Sequence, residues 1–300
     1  MDLTSRLGEP KDPIDLHTED YLREMRYLRN FTEKTLDNCK QIFKRWKRFV
    51  GGMPDEKKLT EFVIKMREAG LSVTTCNITI RTFNSFLVWL REKGITEPLR
   101  MKLLPEEKKK KRVLKDEHIK ALLAFKPQGT NENRIYAIAA TLIDTGLRIT
   151  ECLTIETARV DFDNLLITVM GKGRKERVVP MSIELRRILY RYYIKHRKGK
   201  FENPWFFCTS FGNKMTYRNA YRDLERVFKK AGVDKENMDG FFHSFRRGFS
   251  RNYVRNGGNL FYLQAAMGHA TLEMTKKYVE VEDEDLKTTH LRTSLLSRLK

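Results

Sequence analysis

Residues 164–182 read NLLITVMGKGRKERVVPMS, and this stretch decides the fold class because its period differs from that of everything around it. A β-rich run leads into a glycine and lysine turn, and ERVVP resumes the extended pattern. The segment therefore predicts a β-hairpin whose tip carries Lys172, Arg174 and Lys175. On both sides of it, apolar residues recur at helical spacing. The chain thus predicts a mainly α fold with one small β-sheet. It shows neither βαβ alternation, nor a GxGxxG fingerprint, nor a P-loop, which excludes a dinucleotide-binding domain and a parallel barrel.

Toward the N-terminus, residues 18–50 predict two amphipathic helices. Tyr21, Met25 and Leu28 line the first, and Leu36, Ile42, Phe43, Trp46 and Phe49 the second, whose polar side carries Lys40, Lys44, Arg45, Lys47 and Arg48. Residues 59–68 predict a third helix. A fourth spans 72–94, with Ile78, Ile80, Phe83, Phe86, Leu87 and Trp89 as its apolar set. Residues 1–100 are therefore expected to form an all-helical domain. Residues 101–113 read as a basic linker in which Lys108, Lys109, Lys110, Lys111 and Arg112 follow one another. A solvated connector and a strap across a phosphate backbone both fit that run.

Beyond the linker, helices are predicted at 115–125, 131–144, after the TGLR turn, and, past the hairpin, at 182–196, 216–231, 240–254 and 260–266. These make residues 114–285 a second, mixed α+β domain. In 286–300, Leu286, Leu291, Leu295 and Leu299 suggest a short docking helix. An acidic run, 282–285, precedes it.

Among the 300 residues, 59 Lys and Arg face 39 Asp and Glu, a net charge of +20. That excess favours a polyanionic partner, nucleic acid or an anionic membrane surface. Residues 1–100 contribute +4 and residues 101–300 contribute +16, so the second part is the more strongly basic surface. Four scattered cysteines without a CxxC pair fit a reducing compartment. No apolar run is long enough to span a membrane, and the polar start is not a secretory signal, so a cytoplasmic, DNA-associated location is expected.

Four features carry chemistry. Arg148 follows a DTG turn; Lys172 sits in GKGRKER; His243 and Arg246 stand three apart in FFHSFRRGFS, on one helix face; and His269 precedes Tyr278 by nine residues in MGHATLEMTKKYVEV. Each has a bland reading when taken alone: a snorkelling arginine, a solvated hairpin tip, a packed structural histidine, a surface tyrosine. Together they supply two guanidiniums, an ammonium, two imidazoles and a phenol, without the paired carboxylates or ligand spacing of a metal site. This inventory suits metal-free phosphoryl transfer. Arginines clamp non-bridging oxygens, a lysine or histidine supplies the leaving-group proton, and a hydroxyl attacks.

From residue 17 to residue 285 the chain resembles the tyrosine site-specific recombinases and phage integrases, including the Xer-like resolvases. The resemblance rests on Arg148 in TGLR, Lys172 in GKGRKERVVP, His243 and Arg246 in HSFR, and His269 and Tyr278 in GHATLEMTKKY, in the family's order. One local departure is HSFRRGFS, where Phe245, Arg247 and Gly248 replace the commoner Leu, His and Thr. The resemblance implies a helical core-binding (SAM-like) domain and a tyrosine recombinase catalytic domain that clamp double-stranded DNA at a specific site. It implies Tyr278 as nucleophile, a 3′-phosphotyrosyl intermediate, Arg148, Lys172, His243, Arg246 and His269 as its catalytic partners, and strand exchange in pairs through a Holliday junction. It further implies a tetramer on two sites, with residues 286–300 packing on a neighbouring subunit or in cis and a partner recombinase or accessory protein as a further component, acting in multimer resolution or in mobile-element integration and excision. No cofactor, metal or membrane partner is implied. Arg174, Lys175, Arg247, the linker cations and the basic side of the second helix are the expected DNA contacts. Type IB topoisomerase-like relaxation and non-enzymatic DNA binding are the competing readings.

Overall fold

The structure is a computed structural model that describes residues 12–107, 112, 114–171, 175–234, 238–268, 271, 290, 291 and 294. It divides into two compact units, Met1–Lys109 and Lys110–Lys300. The fold is mainly α-helical with a single small sheet among the described residues, as the hairpin stretch predicts.

The first unit has four helices: α1 (Pro13–Tyr27), α2 (Glu33–Phe49), α3 (Glu56–Glu68) and α4 (Val73–Glu92). Each has a side-chain N-cap. Asp12, Thr32, Asp55 and Ser72 accept from backbone N–H groups of the first turn, satisfying donors that a helix start leaves open. The core is aromatic. Trp46 stacks on Phe83 with centroids 4.6 Å apart and meets Phe62 edge to face, Phe43 and Tyr21 meet Phe86 edge to face, and Trp89 stacks on Phe86.

The helix limits and inward faces differ from the sequence reading in instructive ways. α1 starts at Pro13, because Asp12 and a proline at the first helical position begin the helix before its apolar stripe does. Leu28 and Ile78 are exposed, whereas Asn77 and Thr79 are buried. Asn77 is buried because its amide accepts from the Leu104 N–H (2.8 Å) and donates to the Leu104 carbonyl (3.0 Å). Asn84 does the same for Met101, at 2.9 Å in both directions. The first residues of the predicted linker are thus fastened to α4, and Met101 belongs to the core of this unit. Lys108–Lys111 lie outside the described residues.

The second unit comprises α5 (Asp116–Ala124), α6 (Gly129–Thr145), α7 (Ile149–Cys152), strands β1 (Val160–Asp161), β2 (Leu166–Met170) and β3 (Glu176–Pro180), and helices α8 (Ile183–Tyr192), α9 (Tyr217–Lys230), α10 (Phe241–Arg255) and α11 (Leu260–Met267). α6 is its central element. Residues from Ile135 to Leu142 are buried almost without interruption, and α8, α9 and α10 pack around it. The sheet is antiparallel in the order β1–β2–β3, with Val169 opposite Arg177 and Ile167 opposite Val179. β1 pairs with β2 through Val160 and Asp161, and two residues are too few to carry a period in the sequence. No described helix is long and apolar enough to cross a membrane. The proposed helix at 286–300 and the acidic run at 282–285 fall almost wholly outside the described residues.

Candidate active site

The site is assembled where the end of α6, the short α7, β3, α10 and the end of α11 meet. α6 stops at Gly146, whose left-handed backbone (φ 62°) lets the chain turn directly into Leu147 and Arg148. Arg148 is the N-cap of α7, and Glu151 is that helix's third residue. Glu151 accepts from the Arg148 backbone N–H (2.9 Å) and from Arg148 Nη1 (2.9 Å), so the spacing itself folds the guanidinium back over its own turn. Arg177 completes the cluster from β3. Its Nη1 and Nη2 donate to the two Glu151 oxygens at 3.2 and 2.9 Å.

Glu151 has a side chain 6 % exposed. Burial alone would raise its pKa, but hydrogen bonds from Arg177 and from the Arg148 backbone, with the nearby positive charge, outweigh it and hold the carboxyl below the ordinary glutamate range. It is a permanent carboxylate between two guanidiniums.

Arg246 enters from α10. It is 1 % exposed, its Nη1 donates to the Gly146 carbonyl (2.7 Å), and its Nη2 donates to the Met267 carbonyl (2.6 Å). Arg148 Nη1 reaches the same Met267 oxygen at 3.5 Å. The two arginines singled out by sequence, 98 residues apart, therefore meet on one carbonyl at the C-terminus of α11. The unsatisfied carbonyls of a helix end carry negative partial charge, which suits them to hold cations. Gly268 caps α11 in the left-handed conformation, and the chain continues toward His269 and Tyr278.

His243 is exposed, one turn before Arg246, in the first turn of α10. Phe241, Phe242 and Phe245 anchor that helix in the core, while Phe249 lies against Gly146. Lys172, Arg174, His269 and Tyr278 lie outside the described residues. Among the described residues, the hydrogen bonds of the Arg148 guanidinium all leave from Nη1, and its side chain is 30 % exposed. Its remaining planar edge is shaped to donate two parallel N–H bonds to an oxyanion such as phosphate. Among the described residues, no three of His, Cys, Asp and Glu group closely enough to hold a metal ion.

The other cations singled out by sequence are placed unevenly. Lys175 is exposed at the foot of the hairpin, where its carbonyl accepts from the Gly171 N–H at 2.8 Å. Lys44, Lys47 and Arg48 are exposed on α2, but Lys47 is paired with Asp15 (2.6 Å), and the half-buried Arg45 donates to Thr79 Oγ1 (2.8 Å). Arg247 donates to the carbonyls of Arg112 and Asp239, and Asp239 in turn accepts from the Arg112 backbone N–H at 2.8 Å. The adjacent Gly248 admits the Leu114 backbone, since a Cβ there would stand 3.3 Å from the Leu114 carbonyl oxygen. The Arg247–Gly248 departure from the family pattern thus has a physical reason. It seats Arg112 and Leu114 on α10.

Sequence reasoning missed Glu151 and Arg177. Glu151 stands three residues after Arg148, a spacing that places both on one helical turn, whereas its partner lies 26 residues away and gives no local signal. It also passed over Arg218, Arg222 and Arg226, all exposed on α9 at intervals of one helical turn. The period was legible there; the buried opposite face, Ala220, Leu224 and Val227, shows which way it points.

Residues 112–285 match the phage integrase family. The chain is 26 % identical over 253 residues to the tyrosine recombinase XerA of Pyrococcus furiosus, covering 83 % of this chain and 84 % of that one. It is 27 % identical over 280 residues to a tyrosine recombinase of Thermosipho africanus, covering 89 % and 94 %. In fold it is similar to the Tn1549 transposon integrase solved with circular intermediate DNA, with a TM-score of 0.75, 22 % identity, and coverage of 93 % of this chain and 99 % of that one.

Proposed function

The chain belongs to the phage integrase family and is a tyrosine recombinase acting on duplex DNA, and we propose that Tyr278 is its nucleophile and the Arg148–Arg246 pair its phosphate clamp. The observation that carries this is the convergence of both guanidiniums on the Met267 carbonyl, at the end of the helix that leads to His269 and Tyr278.

In this reading the Tyr278 oxygen forms a bond to the scissile phosphorus as its proton departs with help from His243. The phosphorus–5′-oxygen bond breaks, and Lys172 gives a proton to the leaving oxygen. The products are a 3′-phosphotyrosyl ester and a free 5′-hydroxyl. Arg148 and Arg246 act where negative charge builds, on the non-bridging oxygens, and His269 donates a hydrogen bond to one of them. A phenol titrates at about 10 in water, so in this reading an adjacent cationic cluster has to ease proton loss during attack. The ester keeps the phosphodiester's energy, and a second strand's 5′-hydroxyl reverses the step without ATP.

Exposed Arg218, Arg222 and Arg226 on α9, together with Lys44 and Arg48 on α2, supply cationic surfaces for the duplex backbone. Trapping on nicked duplex DNA followed by peptide mass spectrometry is expected to place the covalent nucleotide on Tyr278, and sequencing the trapped DNA identifies the site. An adduct on another residue, or one that persists in Tyr278→Phe, overturns the assignment.

The recombinase is further proposed to act as a tetramer on two sites, with residues 286–300 passed to a neighbouring subunit. Deleting them is expected to abolish two-site synapsis while single-site binding stays within about 3-fold, since the phosphate contacts that dominate affinity lie elsewhere. Unchanged synapsis rejects the exchange. Relaxation of supercoils on plasmids lacking the site would instead favour the topoisomerase reading.

A further inference from the structure

The strand β3 is assigned a part in the chemistry through Arg177. Along β3 the alternation places Arg177 on the same face as Val179, which is 1 % exposed, while Val178 between them is 53 % exposed. A cation on the core-facing side of a strand is costly unless its donors are matched, and here they are. Nη1 and Nη2 fork onto Glu151, and Nε donates to the Ala266 carbonyl at 2.9 Å. The side chain is 13 % exposed. The guanidinium also lies flat against Gly268, where an added Cβ would come within 3.1 Å of its Cζ and Nη1.

One side chain therefore touches two things the reaction must hold in register. Through Glu151 it fixes Arg148; through Ala266 and Gly268 it fixes the end of α11, one residue before His269. We propose that Arg177 is a positioning residue for strand cleavage, coupling the orientation of Arg148 to the seating of the segment that delivers Tyr278. The proposal rests on the recombinase reading above. Without Arg177, both Glu151 oxygens are left to Arg148, which draws its guanidinium toward the carboxylate and away from phosphate. A displacement of about 1 Å at such a group costs on the order of 100-fold in rate. Lysine cannot substitute, because a point charge cannot donate along the fork and sideways to a carbonyl at once.

The test compares the full-length protein with Arg177→Ala and Arg177→Lys on a nicked duplex bearing the site recovered by trapping, with Arg148→Ala as reference. Two versions of the duplex are used, one with the natural scissile phosphate and one with a methylphosphonate in its place. The methylphosphonate is uncharged, so its cleavage relies less on Arg148. On phosphate, Arg177→Ala is expected to cleave about 100-fold and Arg177→Lys more than about 10-fold more slowly than the parent, with DNA affinity within about 3-fold. On methylphosphonate, both deficits are expected to shrink to less than about 10-fold and 3-fold respectively, in parallel with that of Arg148→Ala.

A merely structural role would leave the deficits equal on the two substrates, and that result overturns the proposal. Cleavage of the phosphate within about 3-fold of the parent overturns it as well. If Arg177→Ala does not fold, Arg177→Lys carries the same comparison. Failure of the parent to form any adduct is a different outcome, one that overturns the recombinase reading and this proposal with it.

Discussion

Arg246→Ala is expected to lower single-turnover DNA cleavage by about 10²–10³-fold, the scale seen when one donor to a developing oxyanion is removed. The same substitution acts on the fold. Arg246 is 1 % exposed and holds the carbonyls of Gly146 and Met267 at 2.7 and 2.6 Å. Losing those charge-assisted bonds in a buried setting costs on the order of 2–4 kcal/mol. Arg246→Lys separates the two effects. It retains a charge and most of the buried stem, so a smaller loss of stability is expected. Yet one ammonium cannot reach Gly146, Met267 and a phosphate together, and cleavage is still expected to fall about 10²-fold. Thermal melting alongside cleavage of the nicked duplex reads both. Folded Arg246→Ala that cleaves within about 10-fold of the parent would remove Arg246 from the chemistry.

Gly146→Ala is expected to be strongly destabilising. At φ 62° a non-glycine residue costs about 1–3 kcal/mol. The new Cβ would also lie 2.2 Å from Phe249 Cδ1 and 2.8 Å from Cγ, a collision with the ring itself. Overpacking of this kind adds about 1–3 kcal/mol. The sum, about 2–6 kcal/mol, corresponds to a melting temperature lowered by roughly 10 °C for a domain of this size. Because the Gly146 carbonyl also orients Arg246, cleavage by the remaining folded protein is expected to fall with it. Adding Phe249→Ala relieves the steric part and leaves the backbone part. The double variant should therefore be more stable than the two single losses add up to. A melting temperature unchanged by Gly146→Ala would show that α10 does not approach the turn this closely.

Much of this arrangement is legible in the chain because its signals are local. The hairpin of 164–182 announces itself by a change of period. The core faces of α2 and α4 follow from residues such as Trp46 and Phe83 at helical intervals. Arg148 and Arg246 are legible because each sits in a short motif with a turn or a helix start beside it. What escaped depends on distant partners. Asn77 and Asn84 give no local sign of their partners, and only the backbone of Leu104 and Met101 explains why Asn77 is buried and Asn84 half-buried. β1 exists because β2 offers it an edge. Glu151 and Arg177 look like ordinary surface charges in TECL and KERVVP until the fold brings them to 2.9 Å. The family resemblance identifies side chains expected to face the phosphate, but not the side chains that hold them there.

The cluster at the end of α11 also has a charge balance. Among the described groups, Arg148 and Arg177 share a single carboxylate, Glu151, while Arg246 joins Arg148 on the Met267 carbonyl, so the three guanidiniums leave two positive charges uncompensated. A phosphodiester brings one negative charge and the pentacoordinate species formed from it brings about two. Of the states along the proposed reaction, this set of groups is thus nearest to neutrality at the transition state. Resting protein and bound substrate both carry excess charge, so electrostatic relief comes as the reaction proceeds rather than as DNA docks, which is the condition for binding energy to accelerate a step instead of merely tightening a complex.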